Sequence, residues 1–181
     1  GWTTLWLQVN YPQVFAGCWS SSPDPVDFRN FELINIYEDK NMFYDKDSVL
    51  RLDATVGGGM PWMYMKDDYR IEAVIYRGEQ FRSWDAVFGK KLKDGTGENI
   101  CDMQTGVIDK NVAAHWKARD ISLLLRTNWE TLKKDLDHKI RISAGNDDNY
   151  ALDESVRLLE YEMKKLNADI EFVYVSGDHF T

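Results

Sequence analysis

Two residues near the end of the chain have the types and spacing for acid–base chemistry. They are Asp148, in the run Gly145-Asn146-Asp147-Asp148-Asn149, and His179, in Ser176-Gly177-Asp178-His179. A histidine works as a general base near neutral pH when a carboxylate holds its other ring nitrogen, because that contact fixes the tautomer and stabilises the imidazolium formed in the transition state. Spacing alone leaves a plainer alternative, with Asp147 and Asp148 as turn formers and His179 as a surface residue. An acid and a base also need a nucleophile. For the chain order serine, acid, histidine this is usually a serine in the sharp strand-to-helix turn of a Gly-x-Ser-x-Gly elbow. No serine or cysteine of this chain has glycine two positions away on both sides.

The elements around these residues are written in hydrophobic periodicity. Ile121, Leu125, Trp129, Leu132 and Leu136 are spaced for one helix face, and Lys139 to Ala144 reads as a strand. Asp153 is the expected N-cap of a second helix bearing Val156, Leu159, Met163 and Leu166, and Ile170 to Val175 is a second strand. Strands separated by a helix in this way predict a parallel sheet. Ligands of such sheets sit at the carboxyl ends of the strands, and the loops carrying Asp148 and His179 both emerge there.

Toward the start, Trp2, Leu5, Trp6 and Val9 mark a helix that Tyr11-Pro12 ends, and Val14 to Trp19 reads as a short buried strand closed by the turn-rich Ser20 to Pro25. Between about Phe28 and Gly106 the periodic signal weakens. Gly57-Gly58-Gly59, Gly95 and Gly97 mark loops around an amphipathic stretch near Tyr69 to Phe88. The whole is expected to be a single domain over 1–181, with 53–109 as a loop-rich insertion that is either a lid or a static excursion.

Composition narrows the function classes. The 181 residues carry a formal charge of −8, with basic residues interspersed among more numerous acids, which argues against a nucleic-acid partner. No apolar run is long enough to predict a membrane span. Gly1 leads straight into what reads as a helix already under way, so the true N-terminus is expected to lie elsewhere. Cys18 and Cys101 have no metal-type spacing and read as free thiols or one bridge.

The chain resembles the esterase-like α/β-hydrolases over nearly its whole length. The resemblance is carried by Gly1-Trp2, Leu5-x-Leu7-Gln8, Tyr11-Pro12, Phe15-x-Gly17, Pro23-Asp24-Pro25-Val26-Asp27-Phe28-Arg29 and Asn35-Ile36-Tyr37-Glu38-Asp39. It continues through Trp84-Asp85-Ala86-Val87-Phe88, Thr105-Gly106-Val107-Ile108-Asp109 and Asn128-Trp129-x-x-Leu132 to Gly145-x-x-Asp148-Asn149-Tyr150-x-Leu152 and Asp178-His179-Phe180. In relatives of this type Gly-Trp closes an elbow of the form Gly-x-Ser-x-Gly-Gly-Trp.

The resemblance implies a partial α/β-hydrolase fold, with a mainly parallel sheet flanked by helices. It further implies a serine esterase acting on small carboxylic esters, with Asp148 as triad acid, His179 as base and the serine just upstream of Gly1. Asp147 is the competing acid. Because the nucleophile and the oxyanion donors fall upstream, this polypeptide by itself is expected not to turn over an ester. No cofactor is implied. The rival reading is a non-catalytic hydrolase-like module for binding or interaction, and a flavodoxin-like nucleotide binder ranks last for want of a glycine-rich phosphate loop.

Other features carry blander expectations. The seven tryptophans read as core rather than as a sugar platform, with Trp2 of interest for its place beside the elbow. Asp24 and Asp27 are expected to brace a turn. The acid-rich Asn146 to Asp153 lacks the spacing and bidentate glutamate of a calcium loop. His115, near an expected helix start, and His138, in a charged turn, have no metal-like partner.

Overall fold

The computed structural model describes residues 1–57, 59–75 and 78–181, so Gly58 of the triple glycine and Tyr76 and Arg77 of the amphipathic stretch lie outside the described residues. In chain order come helix α1 (Trp2–Asn10), strand β1 (Cys18–Ser21), strands β2 (Leu52–Val56) and β3 (Met60–Tyr64), and helices α2 (Met65–Ile75), α3 (Glu79–Phe88) and α4 (Lys110–Trp116). Helix α5 (Ile121–Leu136), strand β4 (Ile140–Gly145), helix α6 (Leu152–Lys165) and strand β5 (Glu171–Val175) follow. The class is mixed α/β. Residues 1–33 and 120–181 form one compact unit, and residues 34–119 form another.

The first unit is built on a three-stranded parallel sheet in the order β1-β4-β5. Cys18 pairs with Ile140 and Ser21 with Ser143 on one side of β4, while Arg141 pairs with Glu171 and Gly145 with Val175 on the other. Alternation along the strands buries Cys18, Ser20, Ile140, Ile142 and Ala144 beneath the helices and turns Trp19, Arg141 and Glu171 outward. Helix α5 starts where Asp120 accepts the amide of Leu123 at 2.8 Å, and the same carboxylate accepts Phe28 N at 3.1 Å. Its expected face is buried at Ile121, Leu125, Trp129 and Leu136, with Leu132 half-buried.

Several local expectations are corrected. Val14 to Gly17 is not strand: the amides of Val14 and Phe15 bond back to Tyr11 O in a turn, and the ladder begins only at Cys18. Strand β1 accordingly runs through Ser20 and Ser21, which had read as turn. Asp153 lies inside the first turn of α6 rather than at its cap, which falls on Ala151. Trp19, at 76 % exposure, and Trp62, at 60 %, are surface residues rather than core. The guanidinium of Arg141 lies 5.3 Å from the Trp19 ring centre, a cation–π contact that partly shields it.

The second unit has an aromatic core. Tyr69 stacks on Phe81 at 3.8 Å between ring centres, Phe43 and Trp84 meet that pair edge-on at 5.3 and 5.5 Å, and Phe88 meets Trp116 at 5.1 Å. Strands β2 and β3 form an antiparallel hairpin with register shifts between Leu52 and Thr55, and Pro61 sits in β3. Much of the rest is turn, closed by side chains. Asn41 Oδ1 accepts the amides of Phe43 and Tyr44, Asp45 Oδ1 those of Asp47 and Val49, and Asp102 Oδ1 those of Gln104 and Thr105. Among the described residues no helix is long and apolar enough to cross a membrane. Cys18 and Cys101 are both free and buried.

Candidate active site

Strands β4 and β5 deliver their following loops to the same sheet edge, and the loops are then zipped together. Asn146 N donates to Val175 O at 2.8 Å and Asp147 N to Gly177 O at 3.0 Å. His179 N reaches Asn149 Oδ1 at 3.3 Å. Gly145, the last residue of β4, packs directly against the backbone of Gly177 and Asp178. Two loops held through backbone groups at this many points are rigid supports for the side chains they carry.

Those side chains meet. Asp148 Oδ2 lies 2.9 Å from His179 Nδ1, with the carboxylate side chain fully buried and the imidazole 24 % exposed. The other carboxylate oxygen is used locally: Oδ1 accepts Tyr150 N at 2.9 Å and Leu152 N at 3.3 Å. This local bonding bends the chain so that Ala151 takes a left-handed φ of 53°. A non-glycine residue in that region costs about 1 kcal/mol or more, and here it sits between two amides that Asp148 itself holds. The geometry places Asp148, not Asp147, against the imidazole. Asp147 is exposed and contributes its amide to the zipper.

The electrostatics follow from the contact. The hydrogen bond from Asp148 raises the pKa of His179 above its ordinary value, half-burial of the ring opposes this, and the charges of Asp148, Asp24 and Asp178 add to the rise. With Nδ1 engaged by the carboxylate, Nε2 is the nitrogen available for proton traffic. Tyr150 and Phe180 set their rings edge-on to the imidazole, at 5.4 and 5.2 Å between centres.

The start of the chain reaches the carboxyl end of β1. Ser20 Oγ donates to Gly1 O at 2.9 Å, and a Cβ on Gly1 would fall 2.3 Å from Pro23 Cα. Trp2 next to it is buried and stacks on Trp6 at 5.1 Å. Asp27, in the turn beyond, braces that turn: its buried carboxylate accepts Arg29 Nη2 at 2.6 Å and Arg29 Nε at 2.9 Å, and Arg29 Nη1 continues to Glu162 at 3.1 Å. Burial pulls the Asp27 pKa up, but the hydrogen bonds of Arg29 and Ser122, with the charge of Arg29, outweigh it and hold the carboxyl below its ordinary value.

The remaining histidines are His115 and His138. His115 lies in the last turn of α4, not at its start. His138, at the turn into β4, pairs with Asp169 at 2.6 Å on the surface. Among the described residues no three His, Cys, Asp or Glu side chains are grouped to hold a metal ion. The sequence reading missed Arg157, whose Nε meets Asp153 at 3.1 Å and whose Nη2 meets Asn146 at 3.1 Å. The signal was available in the i,i+4 spacing of Asp153 and Arg157 on a helix. No family model and no curated protein matches this chain.

Proposed function

We propose that this chain is the C-terminal part of a serine esterase of α/β-hydrolase fold, with Asp148 as the triad acid, His179 as the base and the nucleophilic serine just ahead of Gly1. The observation that carries the reading is the Asp148 Oδ2 to His179 Nδ1 contact of 2.9 Å at the carboxyl ends of adjacent parallel strands. The place of Gly1 supports it. Gly1 packs against the backbone of Ser21 and Pro23 at the end of β1, and the charge of Asp24, the residue after Pro23, acts on His179.

In this reading His179 Nε2 takes the serine proton as the hydroxyl attacks the ester carbonyl, and returns it to the departing alcohol. Asp148 stays ionised, holds Nδ1–H and stabilises the imidazolium. Water then repeats the sequence on the acyl-enzyme. Oxyanion donors come from the amide after the serine and from an upstream loop. The substrate is a small carboxylic ester, and no cofactor takes part.

The test is hydrolysis of p-nitrophenyl acetate by the chain extended upstream through the elbow, beside this chain and two variants. The extended form is expected to turn over, this chain to be inert, and His179→Ala and Asp148→Ala each to lower kcat by about 10³-fold or more. Because neutral imidazole is the base and its pKa is raised, the acid limb of the rate profile should lie above the ordinary imidazole value of about 6.5 and move to lower pH in Asp148→Asn. A folded, extended chain that is inert, or indifferent to His179, sinks the reading and leaves a binding module in its place.

A further inference from the structure

Beside the loop that carries Asp148, the guanidinium of Arg157 touches three elements of the fold at once. Its Nε donates to Asp153 Oδ2 at 3.1 Å within α6, and its Nη2 donates to Asn146 Oδ1 at 3.1 Å in the loop after β4. Its Cζ lies 4.2 Å from the ring centre of Tyr174 on β5. Tyr174 pairs in register with Ala144, the penultimate residue of β4, so the stack sits near the ends of both strands that carry the pair.

The clamp is anchored in turn. Tyr174 Oη donates to Glu160 Oε2 at 2.8 Å, and Lys164 holds Glu160 Oε1 at 2.6 Å. Asp153 is largely buried, and burial raises its pKa while Arg157 opposes that rise. A planar guanidinium supplies both a fork of donors and a face for stacking, which a lysine cannot combine. Asn146 stands two residues from Asp148, on the segment whose amides are zipped to Val175 and Gly177.

We infer that Arg157 is a positioning residue for the acid–base pair: by fastening Asn146 to α6 and Tyr174, it holds the Asp148 carboxylate against His179 Nδ1. This rests on the esterase reading only for its consequence in turnover, since the positioning itself is a property of the pair. Arg157 touches neither the imidazole nor any reacting atom. Its effect passes through the loop.

The sign of one measurement separates positioning from mere charge. Removing a cation near the pair would, by electrostatics alone, make the imidazolium easier to form and raise the pKa of His179. Loosening the loop does the reverse, because His179 then loses the hydrogen bond that raises it. The experiment is a titration of the His179 ring by NMR in this chain, with Arg157→Met, Arg157→Lys and Asn146→Ala beside the parent.

The inference expects the His179 pKa to fall by about one pH unit in Arg157→Met, roughly tenfold in the protonation equilibrium, and by a smaller amount in Arg157→Lys and Asn146→Ala. Asn146→Ala changes no charge and leaves the Arg157–Asp153 pair and the Tyr174 stack in place, so it decides the matter if Arg157→Met fails to fold. A His179 pKa that rises or stays fixed in both Arg157→Met and Asn146→Ala overturns the inference. In the extended chain the same variants should lower kcat with KM unchanged and move the acid limb to lower pH. If the extended chain is inert while the titrations shift as expected, it is the esterase reading that fails and the positioning that stands.

Discussion

The unit carrying Asp148 and His179 and the unit formed by residues 34–119 hold their backbones in different ways. In the first, a parallel ladder and four-turn helices such as α5 satisfy successive groups, and the apolar side chains repeat at helix or strand period. In the second, much of the chain outside its helices and the β2–β3 hairpin is closed by Asn and Asp side chains capping nearby amides, as at Asn41, Asp45, Asp94 and Asp102. Isolated bridges such as Asn41 to Val107 and Cys101 to Ile108 tie these turns together. A ladder orients a long stretch of chain; an Asx turn orients three or four residues.

Buried carboxylates are held in two ways. In the first unit Arg29 offsets the cost of burying Asp27 and leaves its pKa lowered. In the second, burial pushes Asp53 up to about 8, helped by the charges of Asp68 and Glu72, and burial also lifts Asp85 to about 6 despite its contact with Arg82. Asp27 is thus kept charged by its cation, whereas Asp53 and Asp85, like Asp153 of the first unit, hold a proton more tightly than an exposed carboxylate does.

Core truncations give the largest break in this comparison. Trp129→Ala in α5 and Tyr69→Ala in α2 remove side chains with about 2 % exposure and should each cost about 3–5 kcal/mol, read by denaturant unfolding. Hydrogen exchange should localise the loss to 1–33 and 120–181 in the first variant and to 34–119 in the second. A uniform loss of protection in both variants would erase the distinction between the units.

Next in size is the buried cap. Asp120→Ala strands the amides of Leu123 and Phe28 together and should cost about 2 kcal/mol. Proton linkage follows. Asp53 binds its proton more tightly folded than unfolded, so its contribution is complete below about pH 4 and is lost as pH rises toward its folded value of about 8. Protection within 34–119 should decline over that range by at most about 1.4 kcal/mol per pH unit for one proton, and Asp53→Asn should flatten the slope. Asp27 has the opposite sign: its contribution is present above the ordinary carboxylate range and is lost as pH falls through its lowered folded value. The smallest effect is Asp109→Ala, which removes an exposed cap of α4 bonded to Asn111 N and Val112 N, at about 1 kcal/mol by thermal melting.

The same difference explains which elements are legible in the sequence. Periodicity at Ile121, Leu125 and Trp129 gives α5, and β-branched and aromatic runs give β4 and β5, because burial against a common layer imposes those periods. The contact of Asp148 with His179 was legible once both strands were read as parallel neighbours. Val14-Phe15 misled because apolar composition resembles a buried strand, while the turn after Pro12 bonds both amides to Tyr11. Asp153 misled because the helix start is served from four residues back, by Asp148 Oδ1 on Leu152 N. The β2–β3 hairpin escaped notice because Pro61 and the register shifts break its alternation. For Arg157 the i,i+4 spacing shows only the pair with Asp153; its bridging of Asn146 and Tyr174 is displayed by no linear spacing.

Gly145 sets the distance between the two loops without touching either member of the pair. A single methyl group there would stand 2.3 Å from the carbonyl oxygen of Asp178 and 2.6 Å from that of Gly177, both backbone atoms with nowhere to swing. It would act as a wedge driven between neighbouring pages. Acid and base could thus be parted by one carbon atom, with every charge, every aromatic ring and the hydrophobic pattern of the strand left as they were.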